Sequence, residues 1–215
     1  MLADLFPPLG LRLYTPRLEL RLPSEGQLAE LGEVAAGGIH GADDNPFIVQ
    51  WTGGTPQEVA YSVLRHHWAG LGAWSPREWT LNLTVLREGT VVGMQSLRAT
   101  DLAVTREVGT TSWLGRAYQG QGIGTEMRAA VLELAFAGLG AEEAVSGALA
   151  HNTASLAVSR KLGYLPDGSR RLSVAGRPVR EHRVRLTRKR WERHRRVAVA
   201  VEGLEPCLPH LGLGG

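Results

Sequence analysis

The sequence lacks several features that would place the protein in a particular compartment or class. Its only cysteine is Cys207, so no intrachain disulfide can form. No run of about 18 apolar residues is present, and a membrane-spanning helix is therefore not expected. Residues 1–10 also lack the charged start and apolar stretch of a secretory signal peptide. These absences together predict a cytoplasmic protein.

Lysine is nearly missing as well, since Lys161 and Lys189 are the only two, and the basic residues are almost all arginines. The net charge is +3, and the excess is local: between Arg188 and Arg196, six basic residues oppose only Glu192. The remainder of the chain is close to neutral, which argues against a protein built mainly to bind nucleic acid. With 215 residues, 43% of them hydrophobic, the chain can bury a core and suits one domain with or without an appendage.

Apolar residues alternate with polar ones from Leu11 to Leu22, as in a strand with one buried face. Ser24 and Thr55 are capping residues that predict the starts of two helices. Further strands are predicted at residues 79–86, 91–97, 107–114, 144–150, 164–174 and 178–186, and further helices at 122–137, at 153–162 and from 187. This order predicts an α/β protein with a mixed sheet and helices on both faces.

The segment from residue 37 to 54 is rich in Gly, Asp, Asn and Pro, yet it contains aromatic side chains. A long irregular segment of this kind in a compact domain is often a binding loop. Phe47 and Trp51 are therefore candidates for the wall of an acceptor site. Asp43 and Asp44, with His40, are candidates to bind a cationic amine or to pass its proton through water.

The most informative segment, Ser112 to Val131, runs from a strand through a turn rich in Gly and Gln into a helix. Glycines in the turn allow a ligand to approach the backbone closely. The first turn of a helix has amide groups without internal partners, and the helix dipole favours anions there. The pattern is suited to a pyrophosphate, although glycines that only permit a tight turn and helix packing remain an alternative.

Two familiar phosphate motifs do not fit this turn. The dinucleotide fingerprint requires a third glycine where this sequence has Thr125, and no acidic residue is placed for a ribose. The P-loop requires a lysine after its last glycine, and Gly124 is followed by Thr125. The turn therefore indicates an anion site of another class.

Three motifs in order give the chain a resemblance to a known family. Gln119-x-x-Gly122-x-Gly124 matches the Gln/Arg-x-x-Gly-x-Gly/Ala signature of the GNAT acyltransferase superfamily. Asn152-x-x-Ser155, followed by residues 161–164 (KLGY), is similar to a second pattern of that superfamily. Residues 15–18 (TPRL) resemble the first-strand signature of its ribosomal-protein N-acetyltransferase branch. The resemblance covers about residues 11–187.

The resemblance implies a single GNAT-like domain at residues 1–187, with a mostly antiparallel, twisted sheet of about seven strands. Residues 188–215 are then a basic helix and an apolar extension. Because GNAT proteins often pair through their last strands, and the extension is able to cover a partner, a homo-oligomer is expected. Relatives need no metal, so no metal site is expected.

The resemblance also implies roles for individual residues around acyl-CoA. Trp113 and Leu114 would pair with the pantetheine arm, and Asn152 would meet the same arm from the next strand end. Backbone amides of the turn would hold the pyrophosphate, helped by the hydroxyl of Thr125. The turn residues concerned are Gln119, Gly120, Gln121, Gly122, Ile123 and Gly124.

The catalytic groups are less well defined by the resemblance. Many relatives carry an acidic tyrosine seven residues after the asparagine, where this sequence has Ser159. Ser155 would therefore face the departing sulfur in its place; a capping role for this serine at the helix start is the alternative. Glu107, on the strand that enters the site, is the first candidate for the general base, and deprotonation through ordered water is an alternative.

These residues predict an enzyme that transfers an acetyl or short acyl group from acyl-CoA to a primary amine. Similarity of residues 41–52, of the turn and of the basic helix to an actinobacterial GNAT succinyltransferase makes succinyl-CoA a donor candidate besides acetyl-CoA. Because the usual tyrosine is missing, a non-catalytic acyl-CoA sensor or scaffold is an alternative. A nucleic-acid partner of the basic helix is a third, weaker hypothesis, since aromatic residues for base stacking are lacking.

Overall fold

The computed structural model describes residues 1–41 and 44–214. Within these residues the chain forms a sheet of nine strands in the order β7-β8-β6-β5-β4-β3-β2-β1-β9. The strands are β1 (Arg12–Tyr14), β2 (Leu18–Arg21), β3 (Glu78–Arg87), β4 (Thr90–Thr100), β5 (Glu107–Leu114), β6 (Glu143–Leu149), β7 (Leu165–Val174), β8 (Arg177–Thr187) and β9 (Ala200–Glu202). Neighbouring strands are antiparallel except β5 and β6, which run parallel. The mixed α/β fold predicted from the sequence is confirmed.

The expected number of strands, about seven, is too small. The predicted strand from Leu11 to Leu22 is broken into β1 and β2, which fold back on each other with Tyr14 opposite Glu19. Pro16 lies in the turn between them, where its fixed φ is compatible with a bend and its missing N–H costs no ladder bond. The remaining strand, β9, comes from the C-terminal segment and pairs with β1.

Helices cover both faces of the sheet. They are α1 (Leu2–Leu5), α2 (Glu25–Ala36), α3 (Pro56–Gly72), α4 (Leu102–Thr105), α5 (Ile123–Glu133), α6 (Thr153–Lys161) and α7 (Arg188–His194). Ser24 and Thr55 cap α2 and α3 as predicted, and each accepts a hydrogen bond from the backbone three residues ahead. A π-helical turn, Leu134–Gly138, extends α5.

Each face of the sheet carries its own hydrophobic cluster. One lies between α2, α3 and the sheet and includes Leu31, Val63 and Trp113. The other, beneath α5, includes side chains of the C-terminal segment, among them Trp191 and Cys207. The segment 188–214 thus contributes side chains to the same core as the sheet, with Trp191 stacked on Phe136 at a ring-centroid distance of 5.0 Å.

Candidate active site

The parallel strands β5 and β6 separate before they end. They pair only at their first residues, where Glu107, Val108 and Gly109 lie opposite 143–145. At the next position the hydroxyl of Ser146 donates to the carbonyl oxygen of Thr110 at 3.1 Å, and a side chain replaces the backbone ladder. Beyond this bridge β5 stays paired with β4 and β6 with β8. A gap therefore opens in the sheet between the carboxyl ends of the two strands.

Peptide groups of β5 face this gap. The Thr110 carbonyl points at β6, and peptide groups of a strand point the same way at every second residue, so those of Ser112 and Leu114 also face the gap. The peptide group of Trp113 points the other way, toward β4, where Trp113 lies opposite Met94. Trp113 therefore offers its indole to the site. The backbone groups that face the gap are those of Ser112 and Leu114, and of these the Leu114 carbonyl oxygen already accepts from the side chain of Gln119.

A cavity of about 400 Å³ occupies the gap and passes through the sheet. By strand alternation, Thr111 and Trp113 face α2 and α3, while Thr110 and Ser112 face α5. Side chains from both faces therefore line one space, so two molecules can meet there from opposite sides of the sheet. The lining residues are Pro46, Phe47, Ile48, Val49, Trp51, Ser62, Val63, His66, Met94, Thr110, Thr111, Ser112, Trp113, Arg128, Ser146, Gly147, Ala148, Leu149, Asn152 and Ser155.

The loop before α3 supplies the aromatic wall of the cavity. Four rings follow one another in a row from His40 through Phe47 and Trp51 to Trp113, in edge-to-face or tilted contacts with centroid distances of 6.0, 5.0 and 5.8 Å. Asn45 organises this loop, because its side chain accepts from the Phe47 amide at 3.0 Å and donates to Gln50 and Thr52. The structure thus brings Phe47 and Trp51 into the cavity.

The acidic residues proposed for the same loop are not placed there. Asp44 is exposed and does not line the cavity, and Asp43 lies outside the described residues. His40 is held by its neighbours, since Nδ1 donates to the Gly41 carbonyl and Nε2 accepts from the Thr52 hydroxyl, both at 2.7 Å. Among the described residues that line the cavity, none is Asp or Glu.

The glycine-rich turn forms a ring of free amides at the start of α5. Gly120 and Gly122 have φ values of +74° and +80°, a conformation that glycine adopts without strain. Within the part of the chain that the structure describes, the amides from Gly120 to Gly124 donate no hydrogen bond. Five adjacent free donors at a helix N-terminus provide an arrangement that favours an anion. Thr125 lies in the same helical turn and is partly buried.

The two glutamines of the turn have structural contacts. The side-chain nitrogen of Gln119 donates to the carbonyl oxygens of Ile39 and Leu114, at 2.6 and 2.9 Å. This amide ties the turn to the end of β5. The side chain of Gln121 accepts from Arg87 at 2.8 Å and donates to the Ala117 carbonyl at 2.8 Å. Both side chains therefore contribute to the shape of the turn, and the donors that remain free in the turn are backbone amides.

A clamp from the first hairpin fixes the start of α5. Glu126, which is 7% exposed, accepts from the Thr15 hydroxyl at 2.6 Å and from Arg17 Nε at 2.7 Å. Arg17 also donates to the carbonyl of Gln121 at 3.2 Å. The motif TPRL therefore has a physical role, since it joins β1 and β2 to the turn and places a guanidinium beside Gly122.

The start of α6 closes the other side of the gap. Asn152 is the N-cap residue, and its Oδ1 accepts from the Ser155 amide at 3.1 Å. Because Asn152 caps the helix, the alternative role of Ser155 as the cap does not apply. The Ser155 hydroxyl has no hydrogen-bond partner within the described residues and lines the cavity. It is free to meet a ligand at the helix N-terminus.

Glu107 is not brought to this site. It begins β5, and Leu114 lies seven residues further on, about 23 Å along the strand. Its carboxylate accepts from Arg185 at 2.7 Å, in an ion cluster that also contains Glu143 and Asp167. It lines a separate cavity of about 210 Å³. The parallel pairing starts at Glu107, so this residue lies where the strands are closest, at the opposite end from the gap.

The cavity lining includes two basic residues that the sequence analysis does not assign to the site. Arg128 is on α5 and only 3% exposed, and His66 is an exposed residue of α3. Arg128 falls within the segment Ser112 to Val131, but a charged residue on an amphipathic helix is usually on the solvent face. His66 stands beside His67, and the sequence does not show which of the two faces the sheet. Whether either side chain reaches the cavity depends on the rotation of its helix about the helix axis.

The basic C-terminal segment uses several of its charges internally. Arg190 donates to the Gly163 carbonyl at 2.8 Å, and Arg195 pairs with Glu133 at 2.6 Å. The guanidinium of Arg195 also lies over the Trp191 ring, 5.2 Å from its centroid. Arg188 donates to the carbonyl oxygens of Phe136 and Ala141. These contacts leave fewer cations for phosphate groups than the sequence suggests.

None of the helices in residues 1–41 and 44–214 is long and apolar enough to cross a membrane. No group of three or more His, Cys, Asp or Glu side chains in that part of the chain is arranged to hold a metal ion.

Comparison with known proteins gives the family of this chain and structures with a similar fold. A family model described as an acetyltransferase (GNAT) domain matches residues 17–165. Similar solved structures include a GCN5-related N-acetyltransferase from Brucella melitensis, with a TM-score of 0.68 and 18% identity over 86% of this chain and 81% of that one. An acetyltransferase (GNAT family) from Bacillus anthracis has a TM-score of 0.64 and 14% identity, over 83% and 99% of the two chains.

A third structure contains the coenzyme. RimL, described as a ribosomal L7/L12 alpha-N-protein acetyltransferase in complex with coenzyme A, has a TM-score of 0.62 and 16% identity, over 80% of this chain and 95% of that one. At such identities these structures support the fold alone. The class of the protein, an acyltransferase, follows from the family model. The family match, which covers most of the chain, shows that the protein belongs to the GNAT acetyltransferase family.

Proposed function

We propose that the protein transfers a short acyl group from acyl-CoA to a primary amine of a protein or small molecule, by direct attack of the amine on the thioester. The observation that carries this proposal is the gap between β5 and β6, because β5 borders the cavity in the gap and leads directly into the turn whose amides at residues 120–124 are free. One ligand can therefore lie along the end of β5, with one part at the helix N-terminus and another in the gap. CoA fits this arrangement, because its pyrophosphate is an anion for the amides and its adjoining pantetheine arm has amide groups that can pair with the strand end.

In this arrangement the pyrophosphate accepts from the amides between Gly120 and Gly124, beside Arg17. The pantetheine arm pairs with the peptide groups of Ser112 and Leu114, as an added strand would. The remaining N–H groups of the Asn152 side chain face the same arm from the start of α6. The thioester then lies in the cavity, and the amine reaches it past Phe47 and Trp51.

The reaction needs a polarised thioester carbonyl, a proton for the departing sulfur and a route for the proton of the amine. Peptide N–H groups of β5 that face the gap can donate to the carbonyl oxygen. The Ser155 hydroxyl, at the positive end of α6, stabilises the thiolate through a hydrogen bond. As the nitrogen–carbon bond forms and the carbon–sulfur bond breaks, the amine proton leaves through ordered water or through His66.

Acetyl-CoA and succinyl-CoA are both candidate donors. The second rests on the resemblance of residues 41–52 and of the turn to a succinyltransferase of the same superfamily. The cavity volume of about 400 Å³ accommodates either acyl group together with part of an acceptor. The acceptor is left to experiment, with protein N-termini, lysine side chains and small amines as the classes to compare.

The test has two stages with separate outcomes. Calorimetry with CoA and acetyl-CoA measures binding, and we expect dissociation constants in the micromolar range or below. Incubation of acyl-CoA with a panel of amines then measures CoA release with a thiol reagent, with Ser155→Ala as the matched variant. Failure to bind acyl-CoA would refute the proposal. Tight binding without transfer to any amine would favour the acyl-CoA sensor instead.

A further inference from the structure

The cavity holds a buried cation whose charge is not neutralised within the protein. Arg128 is 3% exposed, and its guanidinium lies at the end of the cavity that faces α5. It donates to the Ser159 hydroxyl at 2.9 Å and to the Ser112 hydroxyl at 3.1 Å. Its Nε has no hydrogen-bond partner. In the part of the chain that the structure describes, no carboxylate pairs with Arg128.

Burying the unpaired guanidinium costs free energy in the protein without a ligand. Burial lowers the pKa of Arg128, and the neighbouring Tyr164 opposes that shift only in part. Two neutral hydroxyls do not replace the water lost by a guanidinium, and a buried charge is normally paired. An anion supplied by a ligand would complete the site. Since the described lining contains no Asp or Glu, nothing in it competes for that position.

The position of Arg128 separates this anion from the pyrophosphate. Arg128 is five residues after Ile123, about 7.5 Å along α5 from the ring of free amides. Its two partners connect it to the reaction centre instead. Ser112 has a peptide group facing the gap, and the Ser159 hydroxyl donates to the Ser155 carbonyl at 3.1 Å. The guanidinium therefore lies on the side of the gap where the acyl group is held.

We infer that Arg128 binds a terminal carboxylate on the acyl group, so that the donors are short dicarboxylic acids linked to CoA through one end. The inference rests on the proposed function, because it places the thioester between Ser112 and Ser155. A guanidinium recognises a carboxylate through two parallel N–H groups, and burial strengthens the pair. The reaction would convert a cationic amine into an amide ending in a carboxylate, with CoA as the leaving group.

The decisive experiment compares two acyl groups of equal length. Succinyl and butyryl groups both have four carbons, and only succinyl ends in a carboxylate. We expect calorimetry to show that the wild-type protein binds succinyl-CoA at least tenfold more tightly than butyryl-CoA, about 1.4 kcal/mol. In Arg128→Gln and Arg128→Met the two ligands should differ by less than about twofold, while the affinity for CoA itself stays within about twofold of wild type.

Controls separate the possible causes. Arg98→Gln removes the same charge at the smaller cavity and should keep the succinyl preference. Malonyl-CoA and glutaryl-CoA measure how far the carboxylate reaches. If the wild type binds CoA but does not prefer succinyl-CoA, the inference is wrong and the proposed function stands. If the preference survives in both Arg128 variants, another group recognises the carboxylate. If no CoA ligand binds, the proposed function itself fails.

A structure with succinyl-CoA gives a second readout that does not depend on the variants folding. We expect a carboxylate oxygen within hydrogen-bonding distance of the Arg128 guanidinium, with the Ser112 and Ser159 contacts retained. A succinyl group that turns toward Trp51 instead would overturn the inference.

Discussion

Substitution of one glycine in the turn tests the phosphate site with a matched control in the same chain. Gly120 and Gly176 share a φ of +74°, and a Cβ added to either would meet no heavy atom within 4 Å. Gly120 belongs to the ring of free amides before α5. Gly176 lies in the turn between β7 and β8, and it does not line the cavity. Alanine therefore imposes the same local strain at both positions, and only one of them is expected to touch CoA.

The size of the effect follows from the backbone. A non-glycine residue in the left-handed region costs about 1–2 kcal/mol, partly offset by a stiffer unfolded chain. Both variants should therefore lose about 1 kcal/mol of unfolding free energy, or roughly 2–4 °C in Tm for a chain of this size. In Gly120→Ala the turn can relieve the strain by rotating its amides, and CoA must reverse that rotation. The dissociation constant should rise about 5- to 30-fold.

Calorimetry with CoA and thermal unfolding on the same samples separate the two effects. Gly176→Ala should match Gly120→Ala in Tm and the wild type in affinity. An unchanged affinity in Gly120→Ala, with the expected loss of stability, would refute the view that these amides hold the pyrophosphate. Equal weakening in both variants would show that the loss of binding reflects general destabilisation.

Three further outcomes are expected. Ser155→Ala should lower kcat about 10- to 100-fold, at the low end of general-acid effects, with CoA affinity unchanged in calorimetry; an unaltered kcat would remove Ser155 from the reaction. Glu107→Gln should leave steady-state kcat and KM unchanged, since its carboxylate is bound to Arg185, and a loss of activity at normal Tm would restore it as a candidate base. Burial raises the pKa of Cys207 to about 11, so mass spectrometry should show alkylation at pH 8 only after unfolding; rapid labelling of the folded protein would contradict this. The stability that the neutral thiol contributes should persist below pH 9 and be lost as the pH rises toward 11.

The order of elements and the chemistry of the turn could be predicted because their signals are local. Glycines around residue 120 act through their own backbone, and the aromatic residues Phe47 and Trp51 stand out in an otherwise polar segment. Pro16 is a signal for a break in the first strand, but the alternation of apolar and polar residues from 11 to 22 continues through it and predicts a single strand. The sequence does not predict the pairing of Ala200–Glu202 with β1, because a strand of three residues is too short to show a periodic pattern.

The roles of Glu107 and Arg128 depend on information that the sequence does not contain. Glu107 was correctly placed on a strand, yet its distance from the site follows from where the pairing of β5 and β6 starts and stops. Arg128 was correctly placed on a helix, yet its inward direction follows from the rotation of α5 against β5 and α6. In both cases the residue type indicates what the side chain can do, as a base or as a cation, and the tertiary arrangement decides whether it lies where it can act on a ligand.

The missing tyrosine and the buried arginine are parts of one arrangement. The resemblance to GNAT proteins implies a tyrosine at position 159, where this chain has a serine that is 2% exposed. Ser159 accepts from Arg128 at 2.9 Å, so a phenol ring at this buried position would compete with the guanidinium for space. The small residue therefore leaves room for the guanidinium beside the cavity. If so, Ser159→Tyr should expel the guanidinium and abolish any preference for succinyl-CoA, whereas Ser159→Ala, which removes only the hydroxyl, should preserve most of it. A variant Ser159→Tyr that still prefers succinyl-CoA would show that the two features are independent.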